Sequence, residues 1–153
     1  MRVLVTGAAG LLGRAVVPLL RKRGHEVFTM DFRSDAGNDH HIAFDLRREQ
    51  PIGMPYAAVV HLAGRRASVA KQHELAADLL LDNLAIDTNV FRAMRQFGVK
   101  RGVYASTVSV YPTTCRHGGE FAFTETDAFT FPDDSVRFSA WGKLTAERAV
   151  EAM

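Results

Sequence analysis

The stretch VTGAAGLLG, residues 5–13, decides the fold because it connects a short apolar run to a helical pattern through three glycines. The apolar residues 3–5 are mainly β-branched, which is typical of a buried strand. The segment LLGRAVVPLLRKRG that follows has apolar residues at helical spacing until Gly24 ends the pattern. The sequence therefore predicts a strand, a tight turn and a helix at the start of the chain.

Gly7, Gly10 and Gly13 lie at three-residue intervals across this junction. Glycine suits the junction because the chain turns sharply, its backbone can approach a ligand closely, and the helix can pack against the strand. Free amides at the start of the helix, together with its dipole, attract a pyrophosphate. The spacing differs from the commonest dinucleotide fingerprint, so a loop that only makes a turn is the alternative. Asp31, at the end of a second apolar run, favours a dinucleotide site.

The rest of the chain alternates strand and helix patterns. Further strands are predicted in HEVFTMD (25–31), HHIAFDL (40–46), YAAVVHLAG (56–64) and KRGVYAST (100–107), and helices over residues 68–97 and from PDDS (132–135) to the C-terminus. Between them, residues 112–132 have no clear period, and irregular segments of this length often carry function. Because each strand is nearly all apolar, we predict an α/β fold, a Rossmann-like doubly wound parallel sheet of about five strands with helices on both faces.

The composition limits the class of protein. With 153 residues, 47% of them hydrophobic, the chain has the size of one globular domain, and its net charge of +2 indicates no nucleic-acid partner. No apolar run approaches the ~20 residues that cross a bilayer and the chain begins in a strand pattern, so we expect no membrane association and a cytoplasmic location. The single Cys115 cannot form an internal disulfide, and the histidines have no metal-ligand spacing with it, so we assign no metal.

Five motifs in order along the chain carry a resemblance to a known family. They are TGxxGxxG at 6–13, MD at 30–31, FDL at 44–46, VVHLAG at 59–64 and VKRGVYASTVSVY at 99–111. Together they resemble the extended short-chain dehydrogenase/reductases, the NAD-dependent epimerase/dehydratase family, which acts largely on nucleotide sugars. The resemblance implies NAD as the cofactor and a small-molecule substrate of the nucleotide-sugar class.

The resemblance also implies which residues bind the cofactor. They are Gly7, Gly10, Leu11 and Leu12 at the pyrophosphate, Asp31 at the adenosine ribose with Phe32 and Arg33 beside it, Asp45 and Leu46 at the adenine, Leu62, Ala63 and Gly64 along the cofactor, and Asn83 and Lys143. A carboxylate at the ribose accepts from a 2′-hydroxyl but repels a 2′-phosphate, so we expect NAD in preference to NADP, a preference that Arg33 would soften. For Asp45, a turn or a helix cap is the alternative.

The family's catalytic residues are a Tyr-x-x-x-Lys pair on the last helix and a Ser or Thr after the fifth strand. The lysine lowers the pKa of the phenol from about 10, so that the tyrosine can exchange protons near neutrality. The resemblance places Thr107 and Lys143 in these roles, and Glu147 also fits, but the tyrosine position holds Ser139. The pKa of an aliphatic hydroxyl lies too far above neutrality for Ser139 to act as the acid or base.

Other groups could replace the missing tyrosine, and the named residues have plainer explanations. The candidates in the irregular segment are Tyr111, Cys115, His117, Glu125 and Asp127, of which the imidazole best matches neutral pH. Thr107 could be an ordinary β-branched strand residue and Lys143 a solvated helix lysine. Trp141 is expected to be a packing or interface aromatic.

The length of the chain raises the question of what completes it. Family members continue after the last helix into a substrate-binding region, which we expect to be absent from this single domain of residues 1–153. The sheet edge after the fifth strand would then be covered by a second copy in a homodimer or by another chain.

Three functions remain open. The first is an NAD-binding protein of the epimerase/dehydratase type, which transfers hydride to and from NAD but lacks the tyrosine for independent catalysis. The second is a non-catalytic NAD-binding sensor, scaffold or partner subunit. The third is a shortened remnant with no function of its own.

Overall fold

The computed structural model describes residues 1–35, 38–51, 53, 55–111, 123–129 and 138–153. The strands are β1 (Arg2–Thr6), β2 (Glu26–Asp31), β3 (His41–Ala43), β4 (Ala58–His61) and β5 (Gly102–Tyr104), and the α-helices are α1 (Leu11–Lys22), α2 (Ala76–Gln96) and α3 (Phe138–Glu151). Short 3₁₀ segments cover Val69–Lys71, Val108–Val110 and Glu125–Phe129.

The five strands form one parallel sheet in the order β3-β2-β1-β4-β5. The strand order reverses beside β1, where Thr6 aligns with Met30 on one side and with His61 on the other. In open α/β sheets, ligands bind at such a reversal, outside the carboxyl ends of the strands. The predicted α/β class and doubly wound parallel sheet are confirmed.

Helices cover both faces of the sheet. On one face, Val17 of α1 packs in a cluster with Val3, Val5 and Val27 of the strands. On the other face, the His61 ring meets the Phe91 ring of α2 edge-on, with ring centroids 5.8 Å apart. This arrangement follows from the strand order, because right-handed crossovers that run in opposite directions along a sheet place their helices on opposite faces.

Several elements are shorter than predicted, and β4 covers Ala58–His61 instead of residues 56–64. β3 and β5 have three residues each because the chain turns away from the sheet at Asp45 and at Thr107, whose side chains accept backbone hydrogen bonds from Arg47 and Ser109. α2 begins at Ala76 instead of residue 68, after a 3₁₀ turn and the polar residues 71–74. The PDDS signal before α3 lies outside the described residues.

The chain divides into two compact units. The first comprises residues 1–64 and 85–105 and contains the whole sheet and α1, and the second comprises residues 65–84 and 106–153 and contains α3. The expectation of a single domain stays a prediction. In the described part of the chain, no helix is long and apolar enough to cross a membrane. Nor does any cluster of three or more His, Cys, Asp or Glu among the described residues have the geometry to hold a metal ion.

Candidate dinucleotide site

Gly7 and Gly13 are required by the backbone of the turn between β1 and α1. Gly7 has φ 69°, and a Cβ on it would lie 2.6 Å from the backbone nitrogen of Ala63. A Cβ on Gly13 would lie 2.4 Å from the carbonyl oxygen of Ala8. Neither backbone neighbour can move aside as a flexible side chain would. These two glycines therefore let the turn pack against β4 and let α1 pack against the turn.

Gly10 differs from them because a side chain there would meet one backbone atom, at a longer distance. It precedes α1 with φ −76°, and a Cβ there would meet only the carbonyl oxygen of Gly7, at 3.1 Å. No side chain caps the start of α1, and its first turn carries no acidic residue. The first amides of a helix have no intrahelical acceptor. Free amides, the positive end of the helix dipole and a glycine without a side chain together suit a pyrophosphate.

The exposed side chains of Leu11 and Leu12 lie at the same helix start. They are among the large apolar side chains that the first unit leaves in contact with solvent, and Phe32 after β2 is another. Apolar surface beside a polar anion site is typical of small-molecule binding sites.

Asp31 links the end of β2 to the glycine turn. Its side chain is only 3% exposed, and its Oδ2 accepts a hydrogen bond from the Ala9 amide at 3.1 Å. Its Oδ1 accepts from the backbone N–H of Arg33 at 3.1 Å and from the Arg33 Nε at 3.0 Å. Burial raises the pKa of Asp31, but these hydrogen bonds outweigh burial and hold the pKa below its usual value of 3.8. The carboxylate is therefore ionised and fixed in place.

Arg33 is held by two neighbours. Besides its pairing with Asp31, its guanidinium carbon lies 5.3 Å from the centroid of the Phe32 ring, within reach of a cation–π contact. The Arg33 side chain is half exposed, so it can leave Asp31 without disturbing the core.

Asp45 closes a turn. Its Oδ1 accepts from the backbone N–H and the Nε of Arg47, and its Oδ2 lies 2.7 Å from another guanidinium nitrogen of the same residue. These bonds lower its pKa to about 2. The neighbouring Leu46 is buried, and its carbonyl accepts from Asn89. The turn agrees with the alternative given for Asp45, and the adenine contact stays a prediction.

Leu62 and Ala63 are attached to the end of β1. The Leu62 amide donates to the Thr6 carbonyl at 3.2 Å, and the Ala63 amide donates to the Thr6 hydroxyl at 3.3 Å. Residues 62–64 therefore continue from the end of β4 and lie against the glycine turn, where the strand order reverses.

Asn83, in the second unit, clamps the backbone of Arg65. Its Oδ1 accepts from the Arg65 N–H at 2.7 Å, and its Nδ2 donates to the Arg65 carbonyl at 3.0 Å. The Arg65 side chain also pairs with Asp82 on α2. The side-chain amide thus fixes the segment after residue 64, and its direct contact with a cofactor stays a prediction.

The predicted catalytic residues lie in the second unit. α3 carries positions 139, 143 and 147 at four-residue spacing, which places them on one helix face. Glu147 accepts a hydrogen bond from the hydroxyl of Ser106, which precedes Thr107. The Thr107 hydroxyl accepts from the Ser109 amide and caps a 3₁₀ turn. The Ser139 side chain lies outside the described residues, so the structure describes only its place in the helix.

Tyr111 is the described tyrosine closest in sequence to α3, and its surroundings oppose ionisation of its hydroxyl. Its hydroxyl donates to Glu125 at 3.4 Å. Partial burial, followed by the negative charges of Glu125, Glu147 and Asp127, raises its pKa. A tyrosine that acts as a base near neutrality needs a lowered pKa. Of the other candidates to replace the tyrosine, Cys115 and His117 lie outside the described residues, whereas Glu125 accepts from Tyr111 and Asp127 accepts from Thr124.

A buried polar network beneath the glycine turn was not predicted. Thr6 Oγ1 lies 2.6 Å from His61 Nδ1, and His61 Nε2 lies 3.0 Å from Asp87 Oδ1. Tyr104 donates to Asp87 Oδ2 at 2.6 Å. The sequence does contain a signal for it, since a histidine ends the apolar run of β4 and Asp87 lies four residues after Asn83 on the apolar stripe of α2.

The sequence profile of the NAD dependent epimerase/dehydratase family matches residues 3–153. The chain belongs to this family. A UDP-glucose 4-epimerase of Corynebacterium glutamicum is 31% identical over 121 residues, which are 72% of this chain and 36% of the relative.

Two solved structures extend the comparison. The UDP-glucose 4-epimerase of Thermus thermophilus in complex with NAD is 29% identical, with a TM-score of 0.74 over 99% of this chain and 50% of its own. MoeE5 in complex with UDP-glucose and NAD is also 29% identical, with a TM-score of 0.76 over 99% of this chain and 48% of its own. The chain thus spans about a third of the curated relative and about half of the two solved ones.

Proposed function

We propose that this chain binds NAD on the turn between β1 and α1, as the dinucleotide-binding part of a protein of the nucleotide-sugar epimerase/dehydratase type. One observation carries the proposal. The uncapped start of α1 carries no side chain at Gly10, and the neighbouring Ala9 amide donates to the ionised carboxylate of Asp31.

Each part of the turn has a role in this proposal. The first amides of α1 receive the pyrophosphate, and Gly10 leaves room for it. Asp31 accepts from the hydroxyls of the adenosine ribose, and its charge disfavours the 2′-phosphate of NADP. Arg33, which pairs with Asp31 in the structure, must release one carboxylate oxygen for the ribose. The two solved relatives were determined in complex with NAD, which supports NAD as the dinucleotide bound here.

A bound nicotinamide would supply a hydride acceptor and donor. The protein must supply the proton transfer, and here this chain departs from its family. Position 139 on α3 carries serine. The pKa of Tyr111 is raised by partial burial and by the carboxylates near it. We therefore propose that the chain alone binds the cofactor without completing the family reaction. A role as an NAD-binding sensor, scaffold or partner subunit is the second candidate, and it rests on the same serine.

Calorimetric titration with NAD and with NADP tests the binding proposal. We expect binding of NAD in preference to NADP. Gly10→Ala should weaken NAD binding at least about tenfold, or ~1.4 kcal/mol, because the methyl group fills the space reserved for the pyrophosphate. The backbone of Gly10 suits any residue, and the Gly7 carbonyl oxygen, 3.1 Å from the added Cβ, has to shift by only a few tenths of an ångström, so the variant should fold.

Gly102→Ala is the matched control. It adds the same methyl group at the start of β5, where the nearest atom is the flexible Met94 Cε at 2.9 Å. We expect it to bind NAD as the unaltered chain does. Equal NAD affinity in Gly10→Ala would remove the turn from the site, and binding of neither dinucleotide would overturn the proposed function.

Ser139→Tyr tests the catalytic part of the proposal. Restoring the phenol four residues before Lys143 should restore some conversion of UDP-glucose to UDP-galactose where a substrate site exists, and inactivity with NAD and UDP-glucose both bound would mean that the serine is not the only defect. Ser139→Phe supplies the ring without the hydroxyl and should stay inactive. Conversion of UDP-glucose by the unaltered chain would contradict the proposal that it lacks independent catalysis.

A further inference from the structure

A chain of hydrogen bonds connects α2 to the segment that follows β4. Its members are Asp87 on α2, His61 at the end of β4 and Thr6 at the end of β1, and their residue exposures are 2%, 2% and 0%. The last link is the Ala63 amide, which donates to the Thr6 hydroxyl. All of these residues belong to the first unit.

The Asp87 carboxylate fixes the direction of the hydrogen bonds that it receives. A carboxylate only accepts, so His61 Nε2 carries the proton that it donates to Asp87. We assign His61 as the neutral tautomer, in which Nδ1 accepts and the Thr6 hydroxyl donates to it. The Thr6 oxygen has a lone pair left for the Ala63 N–H. Tyr104 donates to the second oxygen of Asp87 and holds the carboxylate at the start of the chain.

A hydroxyl, an imidazole and a carboxylate in this order also form the catalytic triad of many hydrolases. Here the hydroxyl of Thr6 is fully buried, so no substrate can reach it. The three residues therefore act on the protein's own backbone. A buried network in which every group finds a partner rigidifies its surroundings.

We infer that His61 is a positioning residue for the cofactor site, acting through Thr6 on Ala63. Ala63 N is the atom nearest to the position that a side chain on Gly7 would take, at 2.6 Å. The position of Ala63 therefore sets both the segment 62–64 and the packing of the glycine turn. The inference rests on the proposed binding of NAD at that turn.

The first test uses NMR spectroscopy of the unaltered chain. Two-bond ¹H–¹⁵N correlation should show His61 as the neutral tautomer with its proton on Nε2, and the Ala63 amide should exchange slowly with solvent. A proton on Nδ1, or on both nitrogens, would overturn the inference. This measurement needs no ligand, so it stands even if NAD fails to bind and the proposed function is wrong.

The second test compares Thr6→Val with Thr6→Ser. Valine keeps the shape of threonine but leaves Ala63 and His61 without their hydroxyl partner, whereas serine keeps the hydroxyl. We expect Thr6→Val to speed exchange of the Ala63 amide and to weaken NAD binding, each at least about tenfold, while the amide of Val27 on β2 exchanges at its former rate. Thr6→Ser should restore both values.

The pattern of change separates positioning from general destabilisation. Equal acceleration at Ala63 and Val27 in Thr6→Val would mean that the hydroxyl only stabilises the fold, and it would overturn the inference. Unchanged Ala63 exchange would do the same. Faster Ala63 exchange with unchanged NAD affinity would also overturn it, because the hydroxyl would then position a segment that the cofactor does not use. If Thr6→Val does not fold, the properties of Thr6→Ser and the tautomer of His61 in the unaltered chain still test the inference.

Discussion

At the scale of single residues, Asp31 shows how one carboxylate can serve two parts of a site. It accepts the Ala9 amide from the glycine turn, and it also holds Arg33 beyond the end of β2. The sequence predicted a carboxylate at the end of the second strand. It could not predict the bond to Ala9, because that bond depends on the path of a turn more than twenty residues earlier in the chain.

Asp31→Ala should weaken NAD binding by about 1–3 kcal/mol, the range expected when hydrogen bonds to a charged group are lost. The variant removes the acceptor of the ribose hydroxyls and also frees the Ala9 amide. Calorimetric titration measures the change, and circular dichroism verifies the fold. Asp39→Ala removes an exposed carboxylate between β2 and β3 and should leave the affinity unchanged. Unchanged affinity in Asp31→Ala would remove this residue from the site.

At the scale of elements, the junction of β1 and α1 was predictable from the sequence, but the different roles of its glycines were not. Three glycines at regular spacing indicate a tight turn, and the pattern treats them alike. The backbone distinguishes them, since a Cβ on Gly13 would lie 2.4 Å from the Ala8 carbonyl oxygen whereas one on Gly10 would lie 3.1 Å from the Gly7 carbonyl oxygen. The predicted strands were longer than the observed β3 and β5 for a similar reason. A side chain that closes a turn does not change the apolar pattern from which a strand is predicted.

Gly13→Ala should therefore destabilise the fold, whereas Gly10→Ala should mainly affect binding. The added Cβ at position 13 would lie 2.4 Å from the Ala8 carbonyl oxygen, and α1 would have to move away from the turn. Overpacking of this kind costs about 1–3 kcal/mol. Urea unfolding measures it, with Gly10→Ala as the control in the same turn. Equal stabilities of the two variants would contradict the packing role given to Gly13.

At the scale of the whole molecule, the spacing of apolar residues predicts the fold, but it predicts only part of the candidate site. The alternation of short apolar strands with helices predicted the parallel sheet. It can be recognised because apolar residues are continuous in a buried strand but recur every three or four residues in a covering helix. The network of Thr6, His61, Asp87 and Tyr104 draws on β1, β4, α2 and β5. Its partners come together only when the strands are in register, so no local pattern reports it.

The stability of the molecule should fall in acid because two carboxylates of the first unit have lowered pKa values. The pKa of Asp45 is about 2 when folded, against a usual value of 3.8, and that of Asp31 is also lowered. The folded state thus binds these protons less tightly than the unfolded chain. Both residues stabilise the fold above about pH 4, and this contribution is lost as the pH falls towards 2.

Asp45→Asn should make the free energy of unfolding less dependent on pH between about pH 4 and pH 2. The variant cannot ionise, so it loses the stabilisation at neutral pH but has none left to lose in acid. Urea unfolding across this range measures the slope, and Asp39→Asn, at an exposed position, should keep the slope of the unaltered chain. Because Asp45 and its arginines are partly exposed, added salt should reduce the difference between the two variants. An acid slope in Asp45→Asn as steep as that of the unaltered chain would mean that Arg47 does not hold this carboxylate in solution.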